Sequence, residues 1–152
     1  AFYFRFGVTN TGESQAKYCE AILAELQEYV NDKWQDVDYF QQVNLKWNRG
    51  EAKDAFIDIN PSPVRLLSDI GFIAKEPCLD NVHFNDRLYL NLWYGIGGLQ
   101  PRYLFPNKKY RFKIIVGSEN AQYIVQKFEF FWSGKWKDKP EEMFKEILIK
   151  TI

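Results

Sequence analysis

Histidine occurs once in this 152-residue sequence, at position 83, and cysteine twice, at Cys19 and Cys78. A structural zinc site takes four thiolate or imidazole ligands and a catalytic one usually three. Three such residues, with Cys19 remote in sequence from the other two, argue against zinc. A cysteine nucleophile would have to pair Cys19 or Cys78 with His83. Cys78 follows Pro77 in a turn-like stretch, and a loop thiol beside a partly exposed histidine is the simpler reading. The sequence leaves open whether Cys19 and Cys78 are bridged: Asn60-Pro61-Ser62 is blocked as a sequon by its proline, and no signal peptide marks an oxidising compartment.

Net charge is also missing. Twenty basic and 20 acidic side chains cancel, and the pI is near 6.8. A protein held on nucleic acid by phosphate neutralisation needs a basic excess, so no nucleic-acid partner is expected. No apolar run reaches the roughly 18 residues of a membrane-spanning helix, so no membrane insertion is expected. The N-terminus lacks the basic-then-apolar pattern of a signal peptide. The first residue is Ala, which fits a domain excised from a longer protein, with an anchor or second domain upstream.

Cofactor motifs are absent too. Gly95-Ile96-Gly97-Gly98 does not fit the dinucleotide fingerprint, and no glycine-rich loop carries the lysine of a phosphate cradle. It reads as a loop between strands, and no cofactor is expected. The carboxylates Asp36, Asp38, Asp80, Asp86, Glu141 and Glu142 are scattered, and no pairing compels a hydrolase. Residues 80–86 carry oxygen ligands at irregular spacing, the pattern of Asn/Asp turns rather than of a calcium loop.

Aromatic residues, by contrast, abound: 13 Phe, 9 Tyr and 5 Trp in a chain 46% hydrophobic. Such a chain can bury a core, which excludes disorder. Phe2, Phe4, Phe6 and Val8 alternate with Tyr3 and Arg5, the period of a half-buried strand. Residues 16–30 are ambiguous. Tyr18, Ile22, Leu26 and Tyr29 fall at helical spacing among good helix formers, so local propensity favours a helix. Residues 37–47, 55–59 and 64–74 read as extended, and 75–86 as a polar loop. Residues 87–94 and 110–116 alternate strictly. With 122–132 and the connection Ser118-Glu119-Asn120-Ala121, the span 108–132 reads as a hairpin. Pro140, Glu141 and Glu142 start a short helical turn, and Ile147, Leu148 and Ile149 a last strand. About seven strands separated by turns, with no repeats or linkers, imply one all-β antiparallel sandwich domain over 1–152.

Two stretches carry a family resemblance. Phe6-Gly7-Val8-Thr9-Asn10-Thr11-Gly12, leading to Ala16, resembles the opening hairpin of prokaryotic immunoglobulin-like modules of the cell-adhesion-related class. Leu104-Phe105-Pro106 with Tyr110 is similar to the tyrosine corner of fibronectin type III and related sandwiches. The resemblance implies an immunoglobulin-like sandwich, makes 16–26 a strand against propensity, and makes Tyr110 architectural. It also implies a module that can hang from a membrane anchor.

A sandwich hosts many functions. The expectation is a non-enzymatic binding or accessory module for a protein partner or a small anionic ligand. The rivals are a carbohydrate-binding module stacking sugars on exposed Trp and Tyr, a hydrolase using paired carboxylates, and a sensor fused to an anchor. If the strands 87–94, 110–116 and 122–132 share one sheet, Leu88, Leu90, Leu92, Tyr110, Phe112, Ile114, Phe128 and Phe130 point inward. The opposite face then carries Tyr89, Asn91, Trp93, Arg111, Lys113 and Lys127, the candidate binding residues, beside Tyr123 and Phe131. Aromatic and arginine side chains dominate interface energetics. The competing expectation is that segment 27–86 or the C-terminal helix covers this face as a second small core.

Overall fold

The computed structural model describes residues 2–38, 40–48, 55–63, 65–73, 88–90 and 103–152, with backbone alone at 88–90 and 103. Cys78, His83, Asp80, Asp86, the glycine cluster at 95–98, Asn91, Leu92 and Trp93 lie outside the described residues. The described elements are β1 (Phe2–Val8), β2 (Ala16–Val30), β3 (Lys33–Asp36), β4 (Val43–Asn44), β5 (Lys46–Asn48) and β6 (Phe56–Ile59). There follow β7 (Leu66–Ile73), β8 (Leu88–Leu90), β9 (Tyr103–Leu104), β10 (Lys109–Ser118), β11 (Ala121–Trp132), α1 (Pro140–Met143) and β12 (Ile147–Thr151). All described pairings are antiparallel. The strand count exceeds the expected seven because the chain between β2 and β7 forms several short strands, β3 to β6.

The ambiguous segment is a strand, β2, with an irregular buried side. Its buried side reads Cys19, Ala21 and Leu23, then jumps to Leu26. The register against β10 slips between Lys113 and Ile114, leaving Ala24 as an extra residue. Such a bulge moves the buried set from odd to even positions, and of the helically spaced Tyr18, Ile22, Leu26 and Tyr29 only Leu26 is buried. β2 then turns into β3 through Asn31 and Asp32, both left-handed at φ 51° and 61°. Two positive-φ residues closing a two-residue hairpin make a type I′ turn. Ahead of β2, Asn10 organises the chain: its Oδ1 accepts from the Gly12 N–H at 2.9 Å, and its Nδ2 donates to the carbonyls of Ser14 and Ile59.

The strands form two sheets. The larger runs β12-β11-β10-β2-β3, with β4 and β6 also on β2; the smaller runs β1-β7-β8-β9, with β5 also on β7. Here one expectation is corrected. Residues 88–90 pair with β7 (Gly71↔Leu90, Ile73↔Leu88), not with the hairpin β10–β11. Alternation assigns a strand's faces but says nothing about its neighbour. The sheets close on one apolar core, where Phe4 of the small sheet meets Phe130 of the large one edge-to-face at 4.7 Å. Trp132 and Met143 are fully buried in it. The short helix thus turns its apolar residue into the core.

The corner between β9 and β10 has the expected geometry. Leu104 and Tyr110 are buried, and the Phe105 N–H donates to the Tyr110 hydroxyl oxygen at 3.1 Å. Burial pushes the Tyr110 hydroxyl above its ordinary pKa. Changing Tyr110 to Phe is expected to cost about 1–3 kcal/mol in chemical denaturation, since a backbone donor loses its partner. The Cys19 thiol is buried and also raised by burial, its Sγ facing the Ala16 carbonyl at 3.4 Å. Iodoacetamide should therefore alkylate Cys19 in denatured protein and spare it in native protein; equal labelling of both states would contradict this packing.

Candidate functional site

The outer face of the large sheet follows from strand register. On β10, Lys109, Arg111 and Lys113 alternate with the buried Tyr110, Phe112 and Ile114. Their cross-strand partners on β11 are Phe131, Glu129 and Lys127. On β2 the partners of Arg111 and Lys113 are Gln27 and Glu25. Three of the expected binding residues, Arg111, Lys113 and Lys127, are thus brought together on one surface. Tyr89 belongs to the small sheet.

The charges of Arg111 and Lys113 are not free. Arg111 donates through Nε and Nη2 to Glu129 Oε1 at 3.0 and 2.8 Å, and its guanidinium lies 3.9 Å from the centre of the Trp34 ring. Lys113 Nζ donates to Glu25 Oε1 at 3.0 Å. Lys109 sits over Tyr29, whose ring meets Trp34 at 5.1 Å. An anion docking at Arg111 or Lys113 would compete with a carboxylate already in place, whereas Lys127 has no ion pair among the described residues. The face stays open to solvent, with Tyr29, Tyr123 and Val125 all exposed. Sequence reading missed Trp34, Tyr29, Glu25 and Glu129. The Asn31-Asp32 turn was the signal that would have folded Trp34 back beside Tyr29.

A second feature lies on the opposite side of β11. β12 pairs with residues 128–132 only, and its line continues as far as Ile152, whose N–H donates to the Lys127 carbonyl at 3.1 Å. Residues 121–127 have no strand on that edge among the described residues, and every one of them is exposed. β1, facing them from the small sheet, is likewise an edge strand. Between the two edges no strand of the described residues closes the sandwich. One cavity of about 270 Å³ is walled by Phe6 and Val8 of β1, by Ile114 and Val116 of β10, and by Ile124 and Gln126 of β11. A second, of about 210 Å³, continues from Phe6, Gln126 and Phe128 towards Phe4, Phe130 and Ile149.

The cleft is apolar and nearly uncharged. Its charged wall residue, Arg5, is held at 2.9 Å by Asp69 of β7. That carboxylate is buried, and desolvation raises its pKa against the lowering effect of Arg5. Ile124 is the telling residue. Its register with Val116 points it to the core side, yet it is 69% exposed.

Among the described residues, no group of three or more His, Cys, Asp or Glu side chains is placed to hold a metal ion. No helix among them is long and apolar enough to cross a membrane.

Half-exposed ion pairs contribute little stability. Arg111→Ala and Lys113→Ala should each shift the free energy of unfolding in urea by less than about 1 kcal/mol. A loss of about 3 kcal/mol or more from either would place that side chain in a covered core instead.

Comparison with known proteins finds no matching family model, no matching curated protein and no matching solved structure, so function has to be argued from these surfaces.

Proposed function

We propose that this protein is a non-enzymatic binding module, an immunoglobulin-like sandwich that takes up an extended segment of a partner polypeptide along the free edge of β11. The observation that carries this reading is Ile124, an aliphatic side chain on the core side of its strand and 69% exposed. An edge strand with unpaired backbone groups is a template for another strand. Natural proteins commonly guard such edges with charge or proline, and residues 121–127 hold neither except Lys127. Strand addition takes affinity from main-chain hydrogen bonds and specificity from pockets for alternate side chains.

The continuity with β12 gives the occupant its direction. It runs antiparallel to β11, in line with β12, and presents apolar side chains at every second position to the cleft walled by Phe6, Val8, Ile114 and Val116. The absence of unpaired charge in the wall calls for a neutral segment. The tyrosine corner and the two-sheet core support the immunoglobulin-like and fibronectin type III-like resemblance. The outer face bearing Arg111, Lys113 and Lys127 is a second candidate surface. The Arg111–Trp34 stack favours a protein partner there over a small anion, because arginine and aromatic side chains make interface anchors. Recognition suits the carboxylates of that face better than catalysis, since Glu25 and Glu129 are committed to cations.

The test uses a neutral synthetic peptide with valine at alternate positions and amide hydrogen exchange of the native protein. The peptide is expected to slow exchange in residues 121–127, and Ile124→Asp to abolish that protection while leaving the melting temperature nearly unchanged. Absence of protection, or equal protection in the variant, would refute strand uptake. Sedimentation of the free protein as a dimer that Ile124→Asp dissociates would assign the edge to a second copy instead.

A further inference from the structure

At the far end of the large sheet's outer face, a cross-strand row reads Tyr123, Gly117, Glu20 and Phe56. Glu20 is paired with Gly117 on β10 and with Phe56 on β6. Gly117 permits the close approach of Tyr123, since a Cβ there would meet Tyr123 Cδ1 at 1.9 Å. The Tyr123 ring therefore lies down over the glycine and points its hydroxyl at Glu20 Oε1, 3.3 Å away. Tyr18 joins from β2. Its backbone is left-handed (φ 49°), where the register against β6 slips between Ala16 and Cys19, and its N–H is held by Asp58 Oδ1 at 3.0 Å. These three rings, with Glu20, Ser118 and Glu119, wall an open pocket of about 330 Å³.

Two observations together say what would enter it. The first is a pattern in the rings. Elsewhere on the surface Tyr3, Tyr29, Trp34 and Phe105 each lie under a cation of their own chain: Arg5, Lys109, Arg111 and Lys108 respectively. Tyr18, Phe56 and Tyr123 are 62%, 49% and 56% exposed, and no cation of the described residues covers them. The second is the state of Glu20. Its carboxylate accepts from two neutral donors, Asn44 Nδ2 at 3.0 Å and the Tyr123 hydroxyl, and has no ion pair among the described residues. The other partly buried carboxylates of this face, Glu25 and Glu129, each hold a cation. The negative charge of Glu20 is felt next door, where it pushes the Tyr123 hydroxyl above its usual pKa.

The geometry points to a binding site for an organic ammonium group, seated between the faces of Tyr18, Phe56 and Tyr123 and neutralised by Glu20. Aromatic faces attract cations through the ring quadrupole, and walls of this composition recognise alkylated ammonium groups. Glu119 adds negative potential at the mouth. The ammonium group is carried either on a free small amine or on a lysine side chain of a polypeptide. This site is separate from the cleft beside Ile124 and does not depend on strand uptake.

The probe is tetramethylammonium, with tert-butanol as its neutral counterpart of similar shape, followed by aromatic ¹³C NMR of the native protein. Tetramethylammonium should give saturable shifts confined to Tyr18, Phe56 and Tyr123, with a dissociation constant on the order of millimolar. Tert-butanol should give none. Glu20→Gln is expected to weaken binding about tenfold, and Phe56→Ala about 2–5-fold. Unmoved signals from the buried Trp132 serve as the check that both variants are folded. The uncharged change Val8→Ser, in the β1 wall of the cleft, should leave the affinity unchanged, which separates this site from the proposed strand edge. A trimethyllysine peptide of Gly and Ser that binds tighter than the free ion assigns the site to a polypeptide side chain, and equal affinity assigns it to a free amine. No saturable shift, equal binding of tert-butanol, or unchanged affinity in Glu20→Gln would overturn the assignment.

Discussion

The architecture depends on the backbone pairing of β2. Over Ala16–Val30 this strand is bonded to β10 along one edge and to β6, β4 and β3 in turn along the other. A central strand can satisfy both edges only if its neighbours follow its twist. β2 meets this with two irregularities, one near Tyr18 and one at Ala24. Each changes which side chains face the core. The first leaves Tyr18 left-handed and outward; the second sets Leu26 inward where strict alternation would have put Glu25. The outer surface is therefore a by-product of how the large sheet stays paired.

The same sheet is finished unevenly. Its β3 side is closed by a tight hairpin whose ring pair, Tyr29 and Trp34, receives the cations of β10. Its β12 side covers less than half of β11. Apolar side chains from β1, β10 and β11 meet around the resulting gap, so the core's lining reaches the surface there. A fully closed sandwich would lose this cleft, and an edge charge in place of Ile124 would protect it.

Pairing within the chain also decides which polar groups remain available. Lys109, Arg111 and Lys113 stand on a face that looks basic when β10 is read alone. The acids that balance it come from β2 and β11. At the other end, among the described residues, Glu20 meets only amide and hydroxyl donors, and no cation covers the three rings around it. Among the described residues, one sheet face thus has an ion-paired end and an end without ion pairs.

Much of the fold was legible in the residues, because it rests on local rules. Alternation at Phe2, Phe4, Phe6 and Val8 and at Tyr110, Phe112 and Ile114 marks strands and their buried sides, and Ser118–Ala121 marks the hairpin. Tyr110 was readable as a corner through the resemblance of Leu104-Phe105-Pro106 and Tyr110 to the corner of fibronectin type III sandwiches. What period alone cannot carry is register and partner choice. The bulge at Ala24 broke the strict alternation that would have marked β2 as a strand, and its helix-forming residues carried the opposite signal. The placement of 88–90 on β7, the neutralisation of Arg111 and Lys113, and the gathering of Tyr18, Phe56 and Tyr123 around Glu20 join residues tens of positions apart. By itself the sequence determined an all-β chain with a large aromatic core and the inward faces of its regular strands. Tertiary structure alone decided which edges stayed open and which charges stayed unpaired, because strand pairing between distant segments leaves no trace in local periodicity.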